Sequence, residues 1–212
     1  MATAFNPSAS RSPAPWAEVV PGYSPVTVDL LLTMPDDGYI YEVVEGVLVR
    51  MAGSGEEAAT IGGTLYVALR SFVQPRRLGI VTPADGVYRF SGAETGLLPD
   101  VGFYLAERRV HIQDRTKPIP FAPDLAAEVA SPSQVSAQMA AKARVYLRAG
   151  TRLLWVVWPQ STHVDVWHAG VLTGPVRALT MNDSLDGEDV IPGFSYPVAE
   201  LFRDPLTPEQ EE

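Results

Sequence analysis

Hydrophobic and polar positions alternate with two different periods along this chain, which predicts a mixture of strands and helices. Residues 39–51 form two mainly apolar runs on either side of Glu45-Gly46, and this pattern predicts a β-hairpin with strands 39–44 and 47–51. Helical spacing follows it at Ile61, Leu65, Ala68 and Phe72. Short apolar runs then predict strands near 79–83, 86–90 and 100–105.

The clearest pattern lies between residues 124 and 158. An apolar strand at 124–130 precedes Ser131-Pro132-Ser133, which ends the strand and caps a helix at 134–149. Leu153–Trp158 is almost entirely apolar, as is typical of a strand covered on both faces. This order predicts a βαβ unit. The expected fold class is therefore α/β (α+β), a mixed central sheet flanked by helices with an N-terminal β-hairpin.

Composition divides the chain into one folded unit and two ends. Residues 1–24 are rich in proline, serine and alanine, so a flexible N-terminal arm is expected there. Residues 25–203 are expected to form a single domain, and 204–212 an acidic C-terminal tail. No apolar run reaches the roughly 20 residues of a membrane span, and no secretory leader is recognisable. We therefore expect a cytoplasmic protein with no membrane contact. Whether the chain forms a homo-oligomer stays an open question.

The charge of −9 argues against nucleic acid only at first sight. Eight of these net charges come from residue 183 onward, so the body of the chain is nearly neutral. A polyanionic substrate is neither favoured nor excluded. The absence of cysteine does exclude disulfides, thiolate zinc sites and thiol nucleophiles.

Three charged residues in apolar surroundings are the main candidates for chemistry. Asp100 opens a strand after Pro99, Glu128 lies within the strand 124–130, and Lys142 falls on the apolar side of the helix 134–149. Charged groups are rarely buried unless they are paired or bind a metal. Simpler interpretations are a strand-entry cap for Asp100, a solvent-facing edge position for Glu128, and a lysine whose amine reaches water.

Glu42 is a fourth candidate, because it alternates with Ile40 and Val44 and should point inward from the hairpin. Its simpler interpretation is an ion pair with an arginine such as Arg50.

Ordered together, these segments resemble the Uma-two type of restriction endonuclease within the PD-(D/E)XK nuclease superfamily. The resemblance spans roughly residues 27–202. The matching segments are residues 41–48, 98–101 and 124–133, Lys142 with Tyr146 and Gly150, then 154–157 and 191–194.

The resemblance implies a restriction-endonuclease-like core that hydrolyses DNA phosphodiester bonds. It further implies that Asp100 and Glu128 hold Mg²⁺ (or Mn²⁺), that Glu42 adds a carboxylate, and that Lys142 assists. Most of the superfamily carries the lysine two residues after the strand glutamate, where this chain has Ala130. In this type the following helix supplies it, and Lys142 fits.

Three positions depart from the family pattern. Gln138 and Trp158 replace an expected aspartate each, and Ala58 or a neighbour replaces an expected histidine. These departures leave open an alternative function, a catalytically inactive binding or assembly protein built on a nuclease fold. A third interpretation is the hydrolysis of a small phosphodiester or nucleotide.

Overall fold

The structure is a computed structural model that describes residues 12–91, 94–204 and 206, and its strands form three sheets. The strands are β1 (Glu18–Val19), β2 (Ile40–Val44), β3 (Val47–Met51), β4 (Gly79–Thr82), β5 (Tyr88–Phe90), β6 (Thr95–Leu97), β7 (Val101–Leu105), β8 (Leu125–Val129), β9 (Leu153–Trp158), β10 (His163–His168), β11 (Arg177–Leu179), β12 (Ser184–Asp186) and β13 (Ser195–Pro197). The helices are α1 (Glu56–Arg76), α2 (Ser136–Arg148) and α3 (Val198–Leu201), with 3-10 turns at Val28–Leu32, Ala106–His111 and Pro159–Ser161.

The central six-stranded sheet has the order β11-β10-β9-β8-β7-β4. Its strands pair antiparallel except β8 and β9, which run parallel and are joined by α2. Parallel neighbours need a crossover connection, and α2 provides it. The predicted mixed sheet with its βαβ unit is therefore confirmed.

Alternating side chains of β8 and β9 pack into two different hydrophobic cores. Leu125, Ala127 and Val129 face α1, in a cluster with Trp155 and the apolar face of that helix. The other face of the same strands, which includes Ala126, packs against α2. Because side chains alternate across a strand, Glu128 must point toward α2.

The predicted β-hairpin forms as β2 and β3, with the turn at Glu45-Gly46. Both turn residues have positive φ, at 51° and 75°, which suits a tight two-residue hairpin loop. The hairpin belongs to a second, five-stranded sheet with the order β1-β3-β2-β6-β5. Apolar residues of this sheet share the α2-side core with the central sheet.

The prediction of a flexible arm at residues 1–24 is wrong for residues 12–24. Residues 1–11 lie outside the described part of the chain. Ala14 and Trp16 are buried, and Glu18–Val19 forms β1, which pairs with β3. The reason is that an indole ring gains enough from burial to order a proline-rich segment. Most of the acidic tail at 204–212 also lies outside the described residues.

Gly102 on β7 lies against the Tyr88 and Thr82 side chains. A Cβ atom at this position would lie 2.5 Å from Tyr88 Oη and 2.8 Å from Thr82 Oγ1. These two groups are hydrogen-bonded to each other at 2.9 Å and leave little space.

We therefore expect Gly102→Ala to lower the free energy of unfolding by about 1–3 kcal/mol, measured by urea denaturation. Gly63→Ala is the matched control, because this exposed position in α1 has no atom near the added Cβ. It should leave stability unchanged or raise it by up to about 1 kcal/mol. Equal effects of the two substitutions would contradict the close packing at Gly102.

Candidate metal and phosphodiester site

The strand register brings the two predicted metal-binding carboxylates together. Val101 pairs with Ala127 across β7 and β8, and the same antiparallel register places Asp100 beside Glu128. Opposed residues of an antiparallel pair point to the same face. Asp100 Oδ2 also accepts a hydrogen bond of 2.6 Å from the Val129 backbone N–H, which ties the start of β7 to the end of β8.

Helix α2 directs two polar side chains at Glu128. Lys142 Nζ donates to Glu128 Oε2 at 2.9 Å, and Tyr146 Oη donates to Glu128 Oε1 at 2.6 Å. The two donors are four residues apart and so lie on the same face of the helix. The glutamate is only 6% exposed and the lysine 2% exposed. Lys142 thus pairs inside the protein and does not extend to solvent.

Glu42 reaches the same lysine from the second sheet. Its Oε1 lies 3.2 Å from Lys142 Nζ and accepts a 3.1 Å hydrogen bond from the Leu98 N–H. Its Oε2 accepts a 3.2 Å hydrogen bond from Trp16 Nε1. The alternative pairing with Arg50 is wrong, because Arg50 pairs with Glu18 at 2.6 Å.

The four predicted residues line one cleft of about 130 Å³ between the two sheets and α2. Its remaining walls combine an indole, apolar side chains and small polar groups: Trp16, Ile40, Met51, Ala52, Gly53, Ser54, Ala84, Leu98, Val129, Ser131, Ser133 and Gln134. Three carboxylates against one ammonium leave the cleft with an excess of negative charge.

Burial dominates the ionisation of the acids. Burial raises the pKa of Glu128 to about 7. The negative charges of Asp100 and Glu42 also raise this pKa, whereas the positive charge of Lys142 lowers it. Burial likewise raises the pKa of Asp100, against the Val129 N–H and Lys142, while Glu42 adds to the rise. A divalent cation bound between them would lower the pKa of both acids.

Lys142 and Tyr146 keep their protons. Burial alone would lower the pKa of Lys142, but Glu128 and Glu42 outweigh it and raise the pKa above its ordinary value. Burial and the neighbouring carboxylates raise the pKa of Tyr146 well above its ordinary value. Lys142 is therefore a fixed cation at neutral pH, and Tyr146 a neutral hydrogen-bond donor.

Within the described residues, no group of three or more His, Cys, Asp or Glu side chains is arranged so that it could bind a metal ion. Lys142 contacts both Glu42 and Glu128. A carboxylate offers about four acceptor positions, so Asp100 and Glu128 retain capacity beside the donors described above. Paired carboxylates with room for water fit Mg²⁺, which keeps several water ligands.

Two polar groups of the site were missed by the sequence analysis. Tyr146 was named only among the segments that resemble the family, although its spacing of four from Lys142 was a usable signal. Trp16 was assigned to the flexible arm, and nothing in its local pattern pointed to Glu42.

Gln138 stands where the family pattern led us to expect an aspartate. It accepts a 3.1 Å hydrogen bond from the Val135 N–H and donates one of 2.9 Å to the Pro15 carbonyl.

Comparison with known protein families gives a match over residues 28–199 to the family described as Uma2, putative restriction endonuclease. This match covers most of the chain. The chain belongs to the Uma2 family. All four predicted site residues lie inside the matched range, whereas Trp16 precedes it.

A solved structure shares the fold of this Uma2 protein. It is the crystal structure of a putative nuclease belonging to DUF820 from Anabaena variabilis, with a TM-score of 0.68 and 19% sequence identity. The alignment covers 84% of this chain and 98% of that one. No curated protein matches the chain. No helix among the described residues is long and apolar enough to cross a membrane.

The raised pKa of Glu128 predicts a pH-dependent stability. A carboxyl whose pKa is higher in the folded state stabilises the fold below its ordinary pKa of 4.5, and this contribution is lost as pH rises through about 7. The unfolding free energy of the wild type should therefore fall relative to Glu128→Gln between about pH 4.5 and 7. Urea denaturation in the presence of EDTA measures this difference.

Asp114→Asn is the control of opposite sign, because hydrogen bonds from Thr116 lower the pKa of Asp114. Its difference from the wild type should stay flat over the same range and change only at lower pH. A Glu128 difference that is equally flat would show that burial does not govern this carboxyl.

Proposed function

We propose that this Uma2 protein is a metal-dependent endonuclease that hydrolyses DNA phosphodiester bonds at the cleft of Asp100, Glu128, Lys142 and Glu42. One observation carries the proposal. A buried lysine pairs with two buried carboxylates from different sheets, and a third carboxylate lies opposite one of them. Family membership over residues 28–199 supports the reaction class.

Asp100 and Glu128 would hold Mg²⁺ (or Mn²⁺), with Glu42 joining through water because Lys142, Leu98 N–H and Trp16 already engage it. The excess negative charge of the cleft favours a divalent cation. When bound, such a cation polarises the scissile phosphate and lowers the pKa of a coordinated water.

Lys142 would act as a cation and not as a base, since its pKa is raised. Its ammonium would orient the attacking water or stabilise the charge that develops on the phosphate oxygens. Water adds to phosphorus, one P–O ester bond breaks, and the products are a phosphomonoester and an alcohol. Hydroxyl groups of Ser54, Ser131 and Ser133 line the cleft and can donate to phosphate oxygens.

An inactive binding or assembly protein is the competing function. It is favoured by the ion pairs that Lys142 makes with Glu42 and Glu128, which satisfy these carboxylates without any metal. The two functions differ in one measurable property, because only the nuclease requires saturable binding of a divalent cation.

Titration calorimetry with Mg²⁺ and Mn²⁺ distinguishes these functions. We expect saturable binding by the wild type, and binding at least about tenfold weaker in Asp100→Asn. Asp114→Asn is the matched control, because Asp114 is exposed and hydrogen-bonded to Thr116. An absence of saturable binding by the wild type would favour the inactive scaffold.

The cleavage reaction is tested with plasmid and single-stranded DNA in the presence of Mg²⁺ or Mn²⁺. Lys142→Met should lower the cleavage rate by about 10²–10³-fold, since it removes the charge and keeps most of the side-chain volume. Lys117→Met is the matched control, because Lys117 is the other of the chain's two lysines and is exposed. Urea denaturation shows whether Lys142→Met is folded, and equal cleavage by both variants would contradict the role of Lys142.

A further inference from the structure

The segment before the family match contributes directly to the site. Trp16 is 6% exposed, lines the same cleft as the four charged residues, and donates its indole N–H to Glu42. The family match begins only at residue 28. We propose that Trp16 is a positioning residue that acts through Glu42 and holds this carboxylate in the orientation that fixes Lys142. This inference rests on the proposed nuclease function.

Three independent contacts hold the segment in place. The Pro15 carbonyl accepts a 2.9 Å hydrogen bond from Gln138 Nε2 of α2. Strand β1 pairs with β3 through Glu18 opposite Arg50 and Val19 opposite Val49. Ala14 is fully buried in the same core as the apolar face of α2. The indole is therefore anchored on both sides, by a helix and by a sheet.

The Trp16 hydrogen bond determines which way the Glu42 carboxylate points. Oε1 of Glu42 is held by the Leu98 N–H and by Lys142, and Oε2 is held by the indole. Glu42 is 1% exposed, so loss of the indole N–H would leave Oε2 buried without this donor. An unsatisfied buried acceptor is unfavourable, and the carboxylate would turn away to find a new donor. Lys142 would then lose one of its two fixed partners.

Trp16→Phe isolates this effect, because it removes the N–H and keeps an aromatic ring in the cleft. We expect the turnover rate on DNA to fall about tenfold with little change in KM, since the lysine is less well oriented while the binding surface is retained. In the Glu42→Gln background, Trp16→Phe should cause almost no further loss, because both changes disrupt the same pair.

Trp167→Phe is the matched control. Trp167 is buried in the same core as Trp16, and its indole nitrogen has no hydrogen-bond partner among the described residues. The control therefore makes the same change in ring size without removing a hydrogen bond. It should leave turnover close to that of the wild type and combine additively with Glu42→Gln.

A spectroscopic measurement tests the contact without any cleavage. In protein labelled with ¹⁵N-tryptophan, the indole signal that disappears in Trp16→Phe should shift in Glu42→Gln, whereas the Trp167 signal should not. Additive losses of turnover in the double variant, or an unmoved Trp16 signal, would overturn the inference. An inactive wild type would instead overturn the proposed nuclease function, and the indole signal would still report whether Trp16 holds Glu42.

Discussion

A single buried ammonium group organises the centre of this molecule. Lys142 is almost fully buried and contacts carboxylates from two different sheets, Glu42 of β2 and Glu128 of β8. A buried charge is stable only when it is paired and hydrogen-bonded, so both carboxylates depend on the same ammonium group. Removal of Lys142 leaves two carboxylates in the interior without a cation, which is far more unfavourable than the loss of a surface ion pair.

The fold provides this arrangement through the one parallel strand pair of its described central sheet. The β8–α2–β9 crossover places α2 over the strand that carries Glu128, so that a residue of the first helix turns can face it. The antiparallel neighbour β7 then brings Asp100 alongside. Helix α2 thus supplies the cation, Lys142, to Glu128 from above the sheet.

Local periodicity was sufficient to predict much of the architecture. The hairpin, the βαβ unit and the inward direction of Glu42, Glu128 and Lys142 all follow from patterns of two or 3.6 residues within short windows. The structure brings these residues and Asp100 into one cleft, although their roles stay predictions.

What could not be predicted depends on contacts between distant segments. Strand β6 is three residues long and contains Gly96, so its own pattern is too weak to recognise. The proline-rich composition around Trp16 is typical of a disordered end, and tertiary contacts order it, among them the hydrogen bond to Glu42, 26 residues away. The spacing of four places Tyr146 on the same helix face as Lys142, but it does not specify Glu128 as the hydrogen-bond partner of Tyr146.

The division of the site between two sheets has a mechanical consequence. Glu42 belongs to the five-stranded sheet, while Glu128 belongs to the central sheet and Asp100 directly precedes its strand β7, so the distances among them depend on how the two sheets pack against each other. A small slip between layers would separate charges that must lie within hydrogen-bonding range, long before either layer lost its own pairing. Substitutions far from the cleft that change the alignment of the two sheets would therefore separate Glu42 from Lys142 in a molecule that is still folded.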